Sequence, residues 1–297
     1  MPITSISEKD IADLANKNAD VVQRLQRSLQ VRLARAYPKG MRIDSSNMLP
    51  LDSWRTGAHM VAMNYQKNDL GIQLNRAFFQ RFGGCGYVLK PPQMLASPPD
   101  WPPRRSTVRC VTLKVLSLHQ MPTSKESRPL YEQHHLYVEK LRDAPEPPQA
   151  TSVSSPAVTV ELFSMGGYCC TTPELPPPPS EERRATRIRS AAVFADGLHP
   201  HFELVVHCLA AEPKETLLRL SVQDLTYSSG GKEESTAAGA DHSRDVVYEA
   251  VVLDALRPGY RSLHLRSKSS GCRVDMCCLY VHVAIRDVEL EANLLAA

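Results

Sequence analysis

The sequence predicts a chain in two parts, an α/β unit followed by an all-β antiparallel sandwich. Three observations predict it. Residues 1–96 alternate between helical and strand periodicity. Six prolines then fall between Pro91 and Arg105, the composition of a semi-rigid connection. Beyond them, segments of alternating polar and apolar residues recur, each bounded by turn-forming residues. The expected division is therefore 1–96, a connection at 97–105, a sandwich at 106–288 and a tail at 289–297.

From Ser7 to about Arg32, Ile11, Leu14, Ala15, Val22, Leu25 and Leu29 keep the spacing of one buried helix face. Ser5-Ile6-Ser7-Glu8 has the spacing of a capping box, so the helix is expected to begin almost at Met1. At Val31 the period becomes two. Val31, Leu33, Arg35 and Tyr37 then share one face of a strand that ends at Pro38, and Arg35 and Tyr37 fall at its carboxyl end. His59 is placed on a buried strand. A second helix is expected over Gln73 to Phe82, broken by Gly83-Gly84 before a strand from Gly86 to Leu89.

Eight strands are expected in the second part: Val108 to Leu116, Ala157 to Phe163, Ile188 to Phe194, Phe202 to Cys208, Leu217 to Val222, Val246 to Leu253, Tyr260 to Leu265 and Leu279 to Ile285. Three connections, Thr123 to Ser155, Cys169 to Arg187 and Ser228 to Arg244, are rich in Pro, Ser, Gly and charge, and disorder is expected there.

Composition narrows the function. A net charge of +3 over 297 residues gives no argument for nucleic acid and is compatible with an anionic membrane surface. The start lacks a basic then apolar leader, so the eight cysteines are expected to stay reduced in a cytoplasmic setting. The adjacent pairs Cys169-Cys170 and Cys277-Cys278 lack zinc-ligand spacing. No apolar run approaches the ~20 residues of a bilayer-spanning helix, so any membrane contact is expected to be peripheral.

Several motifs carry a family resemblance. Tyr37-Pro38-Lys39-Gly40, Asp44-Ser45-Ser46-Asn47, Trp54, Met60-Val61-Ala62-Met63-Asn64-Tyr65-Gln66 and Gly83-Gly84-Cys85-Gly86-Tyr87-Val88-Leu89-Lys90-Pro91 resemble, in order, the Y-box half of eukaryotic phosphoinositide-specific phospholipase C. The later strands, with Pro156-Ala157-Val158-Thr159-Val160-Glu161 and Gly259-Tyr260-Arg261-Ser262-Leu263-His264-Leu265, are similar to the C2 domain that follows it. The resemblance implies the Y half of a TIM-type barrel followed by a C2-type sandwich, without the X half. It implies a part of an enzyme that hydrolyses phosphatidylinositol 4,5-bisphosphate to diacylglycerol and inositol 1,4,5-trisphosphate in signalling. The alternative is a noncatalytic phosphoinositide- or membrane-binding module.

Within the resemblance, Arg35 matches an arginine that holds the headgroup, for which a planar guanidinium suits phosphate. The alternative is a strand-end salt bridge. Tyr37 matches a headgroup-packing tyrosine, and without the family it reads as a core residue. Ser5 matches a phosphate-contacting serine, or is a plain helix cap. The catalytic histidines and the catalytic calcium belong to the X half, which is the expected partner in cis or in trans, so this chain alone is expected to be inactive. In the C2-like loops Asp196 and Asp224 resemble calcium ligands, whereas Ser155 and Thr226 stand where carboxylates are usual, so calcium binding is expected to be weak or absent. The other expected partners are a phosphoinositide headgroup and an anionic membrane, the latter through basic residues such as Arg266 and Lys268.

Overall fold

A computed structural model describes residues 3–40, 42–103, 105–122, 154–176, 186–194, 196–225, 242 and 244–289. The first part is built on three parallel strands in the order β1 (Ile3–Ser7), β2 (Leu33–Tyr37), β3 (Met60–Val61). Ser5 pairs with Arg35, Ser7 with Tyr37 and Arg35 with Met60. Helices α1 (Glu8–Ala15) and α2 (Ala19–Ser28) lie against one face, where Ile11, Leu29, Ala34, Ala36, Met48 and Ala58 form a small core. Two further helices, α3 (Leu51–Arg55) and α4 (Leu70–Phe79), complete this part.

The single amino-terminal helix of the sequence reading is corrected to a strand and two helices. Ser7, not Ser5, is the cap: its hydroxyl accepts from Asp10 N at 3.2 Å, which leaves residues 3–7 extended to pair with β2. The helix then breaks at Asn16 to Asn18. Asn16 Nδ2 donates to Ala12 O and Asn18 Oδ1 accepts from Val21 N, so both amides bind backbone groups and favour a stop and a restart. Val31 is exposed in the turn after α2 rather than on β2. The second predicted helix starts three residues earlier, where Asp69 caps Ile72 N.

The strand expected at Gly86 to Leu89 is absent. Phe82, Gly83, Gly84 and Gly86 all have positive φ, which turns the chain out of extended geometry, and Tyr87 and Leu89 are exposed. His59 is exposed as well, just before β3. The proline-rich connection is not a free spacer, because Met94 and Trp101 are buried in the contact between the two parts.

Seven of the eight expected sandwich strands form over most of their length, the one expected from Ile188 to Phe194 is cut back to Arg187–Arg189, and a further strand arises inside the loop expected from Cys169 to Arg187. They are β4 (Thr107–His119), β5 (Pro156–Ser164), β6 (Cys169–Thr172), β7 (Arg187–Arg189), β8 (His201–Ala210), β9 (Thr216–Asp224), β10 (Asp245–Val252), β11 (Gly259–Ser267) and β12 (Arg273–Glu289). Hydrogen bonds run through one antiparallel ladder, β6-β8-β4-β12-β11-β10-β9-β5-β7. It folds over where β10 and β11 share only two paired positions, Val247 with Ser267 and Tyr248 with Arg266. Val111, Leu113 and Val115 of β4 thereby meet Val158, Val160, Leu218 and Leu220 from the other layer. Of the long loops, residues 123–153, 177–185, 226–241 and 243 lie outside the described residues, as does nearly all of the tail.

The two parts are packed together. Trp54, Leu74, Phe78, Met94 and Trp101 join Met165, Leu217, Ala250 and Val252 in one apolar cluster, with Trp54 stacked on Phe78 at 4.2 Å between centroids. Polar bonds flank it. Asn68 Nδ2 donates to Lys268 O at 2.9 Å, Tyr248 Oη to Asn68 Oδ1 at 3.0 Å and Arg76 Nη1 to Gly271 O at 2.8 Å.

Candidate binding face at the parallel strands

Period two on β1 and β2 puts alternate side chains on opposite faces. Ala34 and Ala36 point to the helices, while Arg35 and Tyr37 point away and are exposed. On this uncovered face Ser5, Arg35 and Met60 form a row across the three strands, and Tyr37 lies two residues further toward the carboxyl end. Arg35 Nη2 donates to Ser5 Oγ at 3.2 Å. No ion pair among the described residues includes Arg35, so most of its fork is directed to solvent. All three predicted binding residues are therefore on one face; among the described residues Arg35 makes no ion pair, Tyr37 is exposed, and Ser7 rather than Ser5 caps the helix.

Two polar clusters hold the loops beside this face. Glu8, nearly buried, accepts from Arg42 Nε at 2.8 Å, and Arg42 Nη1 donates to Ser46 Oγ at 3.0 Å. Asn47 Nδ2 donates to Asn64 O at 3.0 Å and to Asp69 Oδ1 at 3.1 Å, while Asn64 N donates to Asn47 Oδ1 at 2.6 Å. Two sequence motifs, one ending at Asn47 and the other containing Asn64, thus bind each other. Sequence reading identified both motifs and missed their contact, as well as the supporting roles of Glu8, Arg42 and Asp69. Lys67 and Ser46 beside Asp44 hold its carboxyl well below the usual carboxylate range.

A cleft of about 830 Å³ lies elsewhere, on the helical side, lined by Gln23, Asp52, Arg55, Trp101, Arg105 and Tyr168 among others. In the sandwich, Asp196 Oδ1 accepts from His199 N at 3.0 Å and Asp224 Oδ1 from Ser155 N at 3.0 Å. Gly197 sits so close to Ser154 that an added Cβ would lie 3.2 Å from its Cβ, so the two loops meet at one end. Among the described residues no three His, Cys, Asp or Glu side chains converge on a metal-sized point, and Thr226 lies outside them. The two aspartates with these partners do not by themselves make a calcium site.

Fold and face together define a class: a small parallel α/β layer with one open face, packed on an antiparallel two-layer sandwich. Comparisons with known proteins show what the chain is similar to. Residues 1–93 match the description "Phosphatidylinositol-specific phospholipase C, Y domain". The chain is 28% identical over 263 residues to the human protein "1-phosphatidylinositol 4,5-bisphosphate phosphodiesterase eta-2", covering 87% of this chain and 15% of that one. It is 27% identical over 267 residues to the rat delta-1 protein of the same name, covering 86% of this chain and 28% of that one. The chain thus spans well under a third of either relative. A crystal structure of L. pealei PLC21 shares the fold, with a TM-score of 0.67 over 98% of this chain and 30% of the other, at 19% identity. The resemblance read from the motifs stands, and it continues through the sandwich. No helix among the described residues is long and apolar enough to cross a membrane.

Proposed function

We propose that the chain is the carboxyl-terminal part of a phosphoinositide phospholipase C, contributing a Y half-barrel and a C2-like sandwich to an enzyme completed by an X half. The supporting observation is the uncovered face of β1 to β3, with Arg35 in no ion pair among the described residues and hydrogen-bonded to Ser5. Three parallel strands with helices on one side leave a sheet face and strand edges to be covered by more barrel. Arg35 and Ser5 bind headgroup phosphate and Tyr37 packs its ring. The acid-base groups and the calcium ion come from the other half, so the chain alone does not turn over lipid. The substrate is phosphatidylinositol 4,5-bisphosphate, met at the surface of a cell membrane from the cytoplasmic side.

The test supplies the X half of a delta-type relative as a separate polypeptide. Calcium-dependent release of inositol phosphates is expected only from the mixture. Arg35→Ala should lower turnover of bisphosphorylated substrate about ten- to a hundredfold more than that of phosphatidylinositol, because a charged contact to phosphate contributes roughly 1.5–3 kcal/mol. Equal losses on both lipids would make Arg35 structural. Robust activity of the 297-residue chain by itself would overturn the division of labour.

A further inference from the structure

At the amino ends of the parallel strands, beside Ala34 and Met60, a lysine and a histidine meet with no acid paired to either among the described residues. Lys90 Nζ lies 3.0 Å from His59 Nε2 and 3.5 Å from Leu29 O. The backbone N–H of Ala34 points at His59 Nδ1, at 3.3 Å. That contact fixes the ring: Nδ1 must hold a lone pair, so the proton of the neutral imidazole is on Nε2 and faces Lys90. A donor aimed at Nζ needs a lone pair there, which an ammonium lacks and a neutral amine has. The amine can then donate to Leu29 O, and every polar atom in the group is matched. No ion pair among the described residues includes Lys90.

We propose that Lys90 is a nucleophilic amine and a site of covalent acylation, with an acyl thioester as the class of co-substrate. The Nζ lone pair attacks the thioester carbonyl carbon. An N–C bond forms, the C–S bond breaks, and the thiolate leaves with its electron pair and takes up the proton that nitrogen sheds. His59 orients the amine through Nε2–H and is a positioning residue. Burial acts in the same direction, pushing the Lys90 ammonium down to about 8. Partial desolvation, the largest cause, also holds His59 below its ordinary value, which favours the neutral ring.

The full 297-residue chain is treated with N,S-diacetylcysteamine at pH 7.5, and acetylated lysines are mapped by peptide mass spectrometry. Acetylation of Lys90 should run roughly tenfold faster than that of Lys39 or Lys67, since a larger neutral fraction outweighs the lower basicity. The lead should shrink as the pH approaches 10. Nitrogen-15 spectra of the untreated chain read the geometry separately. A proton on Nε2 of His59 and a Lys90 side chain that titrates before the other lysines are expected. Acetylation no faster than at Lys39 and Lys67, or a His59 proton on Nδ1, would overturn the proposal.

Discussion

Among single residues, Arg219 is the most constrained. It is fully buried, yet it donates to Glu161 Oε2 at 2.6 Å and Gln73 Oε1 at 2.8 Å, binds Asp245, and lies over the Tyr248 ring. Removing one partner of such a set leaves buried charge uncompensated, so Arg219→Ala is expected to destabilise by about 3–5 kcal/mol in urea unfolding. A loss below ~1 kcal/mol would mean that water replaces the guanidinium. For Glu161, burial pushes the carboxyl up, but His242 and Arg219 outweigh it and hold the group below its usual value. A depressed folded value contributes stability that is present above the unfolded value and is lost as pH falls through the folded one. Lys90 has the same sign of dependence, but through a penalty that lifts as pH rises rather than a gain that is lost as pH falls. Its folded value of about 8 lies below the unfolded 10.5, so the fold holds fewer protons in between and stability from this group rises with pH across that window. Lys90→Met should therefore raise the urea midpoint at pH 7 and gain less at pH 10. An equal gain at both pH values would assign it to apolar packing.

At the level of elements, helix starts were legible where a short polar side chain could reach an amide, and misplaced where two serines competed. Ser5 and Ser7 both fit a cap, and the ladder with β2 decided for Ser7. Asn18 caps α2, and Asn18→Ala is expected to cost about 1 kcal/mol by thermal melting. Gly71, in the first turn of α4, faces the backbone. A Cβ there would lie 2.5 Å from Met48 O, so Gly71→Ala should destabilise by about 1–3 kcal/mol and disturb the Asn47 and Asn64 contacts. Retention of wild-type stability would show that the loop at Met48 moves freely. The strands of the second part were legible because period two survives burial on one face. β6 escaped because Cys169 to Thr172 is short and sits among turn residues, and its pairing with β8 is set by a distant partner.

For the whole molecule, the contact between the two sheets determines behaviour. Both tryptophans, Trp54 and Trp101, lie in the shared cluster, so their fluorescence reports on the contact while far-ultraviolet circular dichroism reports on all elements. The two signals should coincide in the wild type. In the double variant Asn68→Ala, Arg76→Ala, fluorescence should change at lower urea, because the bonds to Lys268, Tyr248 and Gly271 are lost. Coincidence in the variant would assign the contact to the apolar cluster. Membrane binding belongs to this scale too. With Asp196 and Asp224 each bound to a backbone amide, sedimentation with anionic liposomes is expected to be weak, salt-sensitive and little changed by calcium. Strong calcium-triggered binding that Asp224→Asn abolishes would show that the loops complete an ion site.

The sequence by itself determined the periodicities, the seven longer predicted strands of the second part, the boundary composition and the motifs that carry the resemblance, because each depends on neighbours within a few positions. It also put Arg35 and Tyr37 on one face, since the side-chain period of a strand is fixed by its pleat. Only the tertiary structure decided that Ser5 sits on the neighbouring strand within reach of Arg35, that Asn47 clasps Asn64, that Trp101 turns the proline-rich connection into core, and that His59 meets Lys90. Those facts depend on strand register and on packing between residues far apart in sequence, and no local pattern encodes the distance between two side chains until the backbone has closed around them.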